Sequence, residues 1–453
     1  MKIKINACLS KGQVVNPVPQ GVLVVDTGAL PVDTFQGQTN IDDACRLSIS
    51  QGYVDHHTID MLPGMTTQPK KCATQMVVDY FPDILNYCKK HNVQEIQIHQ
   101  DSDMDAITAA FLLYKGLTNG KLPECAKQMA TIVNKVDYAE YRRPVNEYIK
   151  SFPGCITAIY GVIAEEKATD IKSRQAWNEF AELDNKVLAE IFPIYEAIAT
   201  TMEKNIQFNL DNTDIKSFIE NYPGINNHIK ESLHKGTDRR IKTQTQFEKD
   251  IKTAKILKFN FKNPETNRIE EGQIAIIESK SPLATTALGY THFSKNTIIA
   301  VYAGEDRKGG DMYDIGVASE SAGVFREIMH EIAFEMNKSE ATARLNAKEK
   351  YLALSRTPNM TPEQKALFEK YHKLFTELNA LKQAGKTRPG QPGGDLPGID
   401  NIDPTPIVSR GSLIPASNHS LMTSDTFKIV LTNYASRTQM NVMSAFMQPG
   451  RIN

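Results

Sequence analysis

Acidic and imidazole side chains cluster in one short segment of the sequence. His99, Asp101, Asp103 and Asp105 fall between the apolar run "IQI" and an apolar helical stretch, "AITAAFLLY". Carboxylates held this close repel one another, which raises their pKa values. A bound divalent cation reverses the sign of that interaction. The segment therefore indicates a metal site, and the alternative is a solvated acidic loop before a helix N-terminus.

A second segment, "GYVDHHTID", carries residues of the same chemical types. Asp55, His56 and His57 follow a short apolar strand, and alone they fit two surface histidines in a turn equally well. Two more aspartates also end apolar runs, Asp26 in "VLVVDTG" and Asp137 in "TIVNKVDYAEYRRP". For each of them the local alternative is a turn or cap carboxylate. Whether they do chemistry depends on whether the fold brings them together.

The elements that must position these side chains alternate between strand and helix over residues 1–150. Strands are predicted at "IKINACL", "GVLVVDTG", "GYVDHH" and "EIQIHQD", with helical stretches between them. This alternation is typical of a parallel sheet covered by helices on both faces. Ligands of such sheets bind at the carboxyl ends of the strands. Three of the predicted strands deliver Asp or His to that edge, so we expect one shared site.

The rest of the chain is predicted to form three further segments. Residues 151–254 are mostly helical by periodicity and predict a helical connector or insertion. The β pattern returns over residues 255–340, which predicts a second, smaller α/β domain. Residues 341–453 predict charged helices, a Pro/Gly-rich linker and a C-terminal tail with one strand-like run, "FKIVLTNY". The predicted fold class is α/β, with a parallel-sheet metal-binding domain first.

These motifs resemble those of the DHH phosphoesterase superfamily, named for the triplet seen here as Asp55-His56-His57. "HQDSDMDAITAA" is similar to the first motif of the family and "VVDTG" to the second. The "CATQMVVDYF" helix resembles a helix that follows the triplet in the family. The family contains RecJ-type exonucleases, oligoribonucleases, cyclic-dinucleotide phosphodiesterases and manganese-dependent pyrophosphatases. The resemblance covers about the first 145 residues and implies a DHH-type catalytic domain over residues 1–150. It also implies that the second, smaller domain at residues 255–340 binds substrate, as a C-terminal domain does in most of the family.

The resemblance implies two sets of metal ligands that share one carboxylate. The sets are Asp26, His99 and Asp103 around one ion, and Asp26, His56, Asp105 and Asp137 around the other. Imidazole combined with several carboxylates suits manganese, zinc, cobalt or iron rather than calcium. Two Mn²⁺ ions are therefore expected, with Mg²⁺, Co²⁺ or Zn²⁺ as alternatives. Asp101 stays open as an alternative to His99 in the first motif.

The same resemblance implies a reaction and two catalytic side chains. The reaction is hydrolysis of phosphodiester or phosphomonoester bonds of nucleotides or short oligonucleotides. A carboxylate that bridges two ions roughly 3.5–4 Å apart is the usual device for in-line displacement at phosphorus. His57 would contact the phosphate or assist the leaving group, and Asp55 would orient the histidine pair.

The order of the motifs departs from the family. There the "H-x-x-x-D-x-D" motif comes first in the chain, whereas here it follows both Asp26 and the triplet. This order implies a circular permutation, which a parallel sheet absorbs if the strands keep their places in space. The glycine-rich "GGGH"-like loop of the family's second domain is also missing from the sequence, and so is the basic "SRKKQ"-like motif of the pyrophosphatases.

Net charge and composition limit the kinds of binding partner that the sequence predicts. Lys and Arg number 52 against 53 Asp and Glu, so a sequence-blind electrostatic grip on long nucleic acid is not expected. The sequence shows no signal peptide and no membrane-spanning run, which predicts a cytoplasmic protein without membrane contacts. A homodimer is compatible with the prediction.

The alternatives to a nucleotide phosphoesterase are a RecJ-like single-strand exonuclease, a pyrophosphatase, and a catalytically silent DHH-like scaffold that binds other proteins.

Overall fold

The computed structural model describes most of the chain and divides it into two compact units. It describes residues 3–9, 15, 17–27, 30–60, 62, 65, 68–100, 102–138, 140–170, 177–205, 207–264, 266–280, 292–294, 296–305, 311–317, 321–383, 398–400, 407–410 and 423–446. The first unit takes in residues 1–242, and the second begins at Thr243. The Pro/Gly-rich stretch at 384–397 and Asp101 lie outside the described residues.

The first unit is built on a four-stranded sheet in which every pair of neighbours is parallel. Its strands are β1 (Lys4–Leu9), β2 (Val22–Val25), β3 (Tyr53–Val54) and β4 (Glu95–His99). The order across the sheet is β1-β4-β2-β3. All four residues of β2 are buried, as expected of an inner strand covered on both faces. The chain is thus mixed α/β with a parallel sheet, which confirms that much of the predicted fold class.

Helices surround this sheet and supply most of the first core. They are α1 (Ile41–Ser50), α2 (His57–Asp60), α3 (Ala73–Asp79), α4 (Phe81–Lys90), α5 (Met104–Asn119), α6 (Ala126–Asp137), α7 (Val145–Tyr148), α8 (Phe152–Asp170), α9 (Trp177–Lys204), α10 (Ile215–Asn221) and α11 (Asn227–Asp250). Apolar residues of α8 to α11 belong to the same buried cluster as the strands. The predicted boundary near residue 150 therefore falls inside this unit.

The second unit contains a mixed six-stranded sheet. Its strands are β5 (Lys255–Lys262), β6 (Ile269–Glu278), β7 (Thr297–Glu305), β8 (Asp311–Val317), β9 (Gly398–Asp400) and β10 (Ile407–Arg410), in the order β5-β6-β7-β8-β10-β9. Only β6 and β7 pair in parallel among these described strands. The helices are α12 (Ala322–Leu354), α13 (Pro362–Gln383) and α14 (Ser424–Phe446). Within the described residues, no helix combines the length and apolarity that crossing a bilayer requires.

The strand-like interpretation of "FKIVLTNY" was wrong, because this run lies inside α14. Phe427, Leu431 and Tyr434 are buried in the core of the second unit. Their spacing of four and three residues is the period of a helix face. The adjacent Ile429 is exposed, so the run is apolar beyond what the core uses, and that excess gave it a strand-like appearance.

A close helix crossing in the first unit gives a stability prediction. A Cβ at Gly236 of α11 would lie 2.3 Å from the backbone oxygen of Ala158 in α8. We expect Gly236→Ala to destabilise the protein by about 1–3 kcal/mol, since the helices must move apart. Thermal unfolding followed by calorimetry should show a Tm lower by roughly 2–8 °C.

Gly161→Ala in α8 is the matched control, because a Cβ there would meet nothing within 4 Å. The same substitution should raise stability by about 0.5–1 kcal/mol through helix propensity alone. Equal effects at both positions would contradict the close crossing.

Candidate metal centre

The carboxyl ends of three neighbouring strands meet at one buried cluster. His99 is the last residue of β4, Asp26 directly follows β2, and Asp55 and His56 directly follow β3. Because β4, β2 and β3 are adjacent and parallel, these residues share one edge of the sheet. Asp26, Asp55, His56 and His99 are all buried there.

Asp26 is the centre of the cluster, and each of its carboxylate oxygens faces a different histidine. Oδ1 lies 3.6 Å from Nε2 of His56, and Oδ2 lies 3.6 Å from Nε2 of His99. Both distances are longer than a normal N–H···O hydrogen bond. Two ligands each about 2.1 Å from one ion lie roughly 3.0–3.5 Å apart, which is close to what is seen. The spacing therefore suits a cation on each side of Asp26.

The backbone of Asp26 adopts an unusual conformation to reach this position. Its φ angle is +53°, in the left-handed region that residues other than glycine seldom enter. Its backbone N–H donates to the carbonyl of Val54, which ties the residue to β3. Strain of this kind persists where the surroundings fix it, and it concentrates at functional sites.

The first group of potential ligands is Asp26, His99 and Asp103. Nε2 of His99 lies 3.5 Å from Oδ2 of Asp103. The other oxygen of Asp103 accepts from the backbone N–H groups of Asp105 and Ala106, so Asp103 also caps α5. The side chain of Asp103 is 40% exposed, which leaves this group open to solvent on one side.

The second group is His56, Asp105 and Asp137. Nε2 of His56 lies 3.8 Å from Oδ2 of Asp105 and 3.5 Å from Oδ2 of Asp137. Asp137 is the last residue of α6 and its side chain is 21% exposed. With Asp26 on its third side, Nε2 of His56 faces three carboxylates at once.

The start of α3 holds the carboxylates of this second group in place. The N–H groups of Ala73 and Thr74, at the start of α3, each donate at 2.7 Å to a different oxygen of Asp105. Next to them, the N–H of Cys72 donates to the side chain of Asn134 in α6. The start of α3 therefore fixes Asp105 directly, and it fixes Asp137 through the helix that ends there.

Nδ1 makes a hydrogen bond in each of the three histidines of the cluster, so Nε2 is the nitrogen left for a metal. Nδ1 of His56 lies 2.6 Å from Asp60, and Nδ1 of His99 lies 2.8 Å from the carbonyl of Gln100. Nδ1 of His57 lies 3.1 Å from Asp55. Carbonyl and ionised carboxylate oxygens only accept, so each Nδ1 carries a proton. Nε2 of His56 and Nε2 of His99 face the carboxylates and are the nitrogens that a metal ion would take, as in metal-binding histidines.

Electrostatics in the cluster oppose full ionisation of its carboxylates without a cation. Burial and the charge of Asp26 raise the pKa of Asp105 to about 6. Burial also raises the pKa of Asp137 well above its usual value, against the opposing effect of His56. Burial acts in the same direction on Asp26, yet the surrounding histidines hold its pKa below normal. Of these three carboxylates, Asp26 is the one whose pKa is lowered, which suits a ligand shared by two ions.

The donor set fits a pair of divalent cations. Oδ1 of Asp26 and Nε2 of His56 are buried without a hydrogen-bond partner among the described residues. Orphaned polar atoms of this kind call for an unseen partner such as an ion. The metal-facing carboxylates are Asp26, Asp103, Asp105 and Asp137. Their four negative charges equal the charge of two divalent ions, and the two histidines contribute neutral ligands.

The structure thus brings together every predicted metal ligand: Asp26, His56, His99, Asp103, Asp105 and Asp137. His57 also lies beside Asp26, with Nδ1 3.5 Å from its Oδ1, and forms a third group with Asp26 and His56. Since Asp55 engages the same nitrogen at shorter range, His57 is less suited to a ligand role. Asp55 holds Nδ1 of His57, and a second carboxylate, Asp60, holds Nδ1 of His56.

Sequence reasoning missed two residues, Asp60 and Tyr138. Asp60 lies four residues after His56, a spacing that places both side chains on one face of a helical turn. That spacing was a readable signal. Tyr138 directly follows Asp137, and no comparable spacing in the sequence pointed to it. Arg143, a surface cation near these residues in sequence, forms an ion pair with Asp211.

Comparisons with protein-family models, with curated proteins and with solved structures found no match.

The two ligand groups lead to a prediction about metal stoichiometry. We expect metal-stripped protein to bind two Mn²⁺ ions per chain in equilibrium dialysis. Asp103→Ala and Asp137→Ala should each weaken the binding of one ion by more than about tenfold. Asp26→Ala should weaken the binding of both, because Asp26 faces both groups.

Asp43→Ala serves as the control, since Asp43 is an exposed carboxylate of α1 that is 65% accessible. It should bind both ions as the wild type does. If Asp26→Ala weakened only one ion, the carboxylate would not be shared.

Proposed function

We propose that the chain is a metal-dependent phosphoesterase that hydrolyses phosphodiester or phosphomonoester bonds with two divalent ions, preferably Mn²⁺. The observation that carries this proposal is Asp26, whose Oδ1 faces His56 and whose Oδ2 faces His99, each at 3.6 Å. A carboxylate placed between two ligand groups is the arrangement that two-metal hydrolases of phosphate esters use.

The chain would divide the work between its two ligand groups. Asp26, His99 and Asp103 would hold one ion, and Asp26, His56, Asp105 and Asp137 the other. When bound, the two ions would supply a hydroxide at neutral pH and neutralise charge on the phosphate. The partial exposure of Asp103 and Asp137 supports substrate access from their side.

His57 would act on the substrate rather than on an ion. Its Nδ1 and its backbone N–H both lie 3.1 Å from one oxygen of Asp55. The other oxygen of Asp55 accepts from the backbone N–H of Thr27, which follows Asp26. Asp55 thereby fixes the His57 ring with one proton on Nδ1. A second proton on Nε2 would let His57 donate a hydrogen bond to a phosphate oxygen or pass that proton to the leaving-group oxygen.

The strand order supports the resemblance to the DHH phosphoesterases despite the changed motif order. The first, second and third motifs end β4, β2 and β3, and these strands are neighbours in that order across the sheet. A circular permutation changes the chain order of the strands and leaves such a neighbourhood intact. The substrate class we propose is a nucleotide or short oligonucleotide, in keeping with the balanced charge of the chain.

The test is hydrolysis by metal-stripped protein with and without added Mn²⁺. The substrates are bis-p-nitrophenyl phosphate, p-nitrophenyl phosphate, inorganic pyrophosphate, and nucleotides from dinucleotides to long single strands. We expect Mn²⁺-dependent turnover of the esters and the short nucleotides, abolished in His56→Ala. Preference for long strands would indicate the exonuclease alternative, and preference for pyrophosphate the pyrophosphatase. No turnover with no bound metal would indicate the scaffold.

His57→Ala separates catalysis from metal binding. General acid catalysis contributes about 10²–10⁴-fold, so we expect kcat for a dinucleotide, whose leaving sugar oxygen needs a proton, to fall by at least about 100-fold. Both Mn²⁺ ions should remain bound in equilibrium dialysis, because His57 is not in either predicted set. Loss of an ion together with kcat would instead make His57 a ligand of the third group.

A further inference from the structure

A buried pair of side chains, Asp60 and Tyr138, lies directly behind His56. Oδ2 of Asp60 lies 2.6 Å from Nδ1 of His56. The hydroxyl of Tyr138 donates to the same oxygen at 2.9 Å and lies 3.0 Å from Nδ1. Asp60 is 7% exposed and Tyr138 is 1% exposed. The metal centre and the proposed reaction leave both residues without a role.

We propose that Asp60, held by Tyr138, is the positioning residue that sets the affinity of the His56-containing metal position. This inference rests on the proposed metal centre. Asp60 engages Nδ1 of His56, so Nε2, the nitrogen left for a metal, faces Asp26, Asp105 and Asp137. A carboxylate behind a ligating imidazole also raises its basicity and so strengthens its bond to a metal.

The local fold explains why Asp60 can do this with little freedom. The N–H of Asp60 donates to the carbonyl of His56 at 2.9 Å, which closes one helical turn. Side chains four residues apart in such a turn lie side by side. Tyr138 then holds the Asp60 carboxylate from α6, the helix that ends in Asp137. One helical turn and one neighbouring helix therefore fix the imidazole before any metal arrives.

The effect should be confined to one of the two metal positions. Nδ1 of His99 is held by the backbone carbonyl of Gln100, which no substitution of Asp60 alters. His57 is held by Asp55, a different carboxylate. Loss of Asp60 should therefore weaken the position with His56, Asp105 and Asp137 and spare the position with His99 and Asp103. Such selectivity distinguishes positioning from general support of the fold, which would affect both.

The experiment is a Mn²⁺ titration of metal-stripped protein, with bound ion followed by the loss of the free Mn²⁺ signal in electron paramagnetic resonance. In Asp60→Asn an amide replaces the carboxylate. Its N–H₂ group can donate to Nδ1 and move the imidazole proton to Nε2. We expect one of the two dissociation constants to rise about 10–100-fold and the other to change less than about twofold. Tyr138→Phe should raise the same constant by a smaller factor, because it removes only the support of Asp60.

Two variants control for unrelated effects. Gly236→Ala should lose stability at the crossing of α8 and α11, where the added Cβ would meet Ala158, and should leave both dissociation constants unchanged. Asp43→Asn removes an exposed carboxylate in the same way that Asp60→Asn removes a buried one.

To identify the weakened position, Asp60→Asn is combined with Asp103→Ala. The two effects should fall on different ions, and the double variant should retain no tight ion.

Several outcomes would overturn the inference. Equal weakening of both ions in Asp60→Asn would make the pair structural, and so would unchanged affinity in both Asp60→Asn and Tyr138→Phe. A wild type that binds no transition metal would overturn the metal centre and this inference together. A wild type that binds two ions but hydrolyses nothing would overturn the proposed function alone, and the selective loss in Asp60→Asn would still stand.

Discussion

The repulsion among carboxylates gathered at one buried sheet edge is the constraint on which the rest of the site depends. Asp26, Asp105 and Asp137 all face a single imidazole nitrogen of His56. An ionised carboxylate removed from water is costly unless a cation compensates it. Without a metal, only a proton can reduce this charge, and the raised pKa values of Asp105 and Asp137 express that. Two divalent ions would neutralise the carboxylates and give the orphaned atoms of Asp26 and His56 a partner.

Around this unfavourable centre the fold supplies rigidity from groups that do not titrate. Backbone N–H groups hold Asp105 from the start of α3 and Asp103 from the start of α5. The left-handed backbone of Asp26 is fixed by its bond to Val54 in the adjacent strand. In a site preorganised in this way, the ligands lose little conformational entropy when a metal binds. The buried carboxylates lower the free energy of unfolding, and a bound ion would raise it again. The large buried apolar cluster of the first unit stabilises the fold and offsets the destabilising effect of such a site.

The sequence allowed three of the proposed ligands to be predicted together, Asp26, His56 and His99, because they lie at the ends of apolar strands. The other three, Asp103, Asp105 and Asp137, lie at helix ends. Strand ends in a parallel sheet converge, so Asp26, His56 and His99 were expected together before any distance was known. Asp60 and Tyr138 were missed because their role comes from a hydrogen bond across a helical turn and from a neighbouring helix. Periodicity likewise identified α8 to α11 as helices, but which core they join depends on tertiary packing. The strand-like run in α14 failed for a similar reason, since burial and not local apolarity decides which of its residues face inward.

The central claim is that one carboxylate, Asp26, is shared by two ions, and anomalous diffraction from crystals grown with Mn²⁺ tests it most directly. Data collected on both sides of the manganese absorption edge locate each ion independently of the protein atoms. The account predicts two peaks per chain, one beside His99 and Asp103 and one beside His56, Asp105 and Asp137, with a different oxygen of Asp26 on each. A single peak, or two peaks of which only one contacts Asp26, would contradict it.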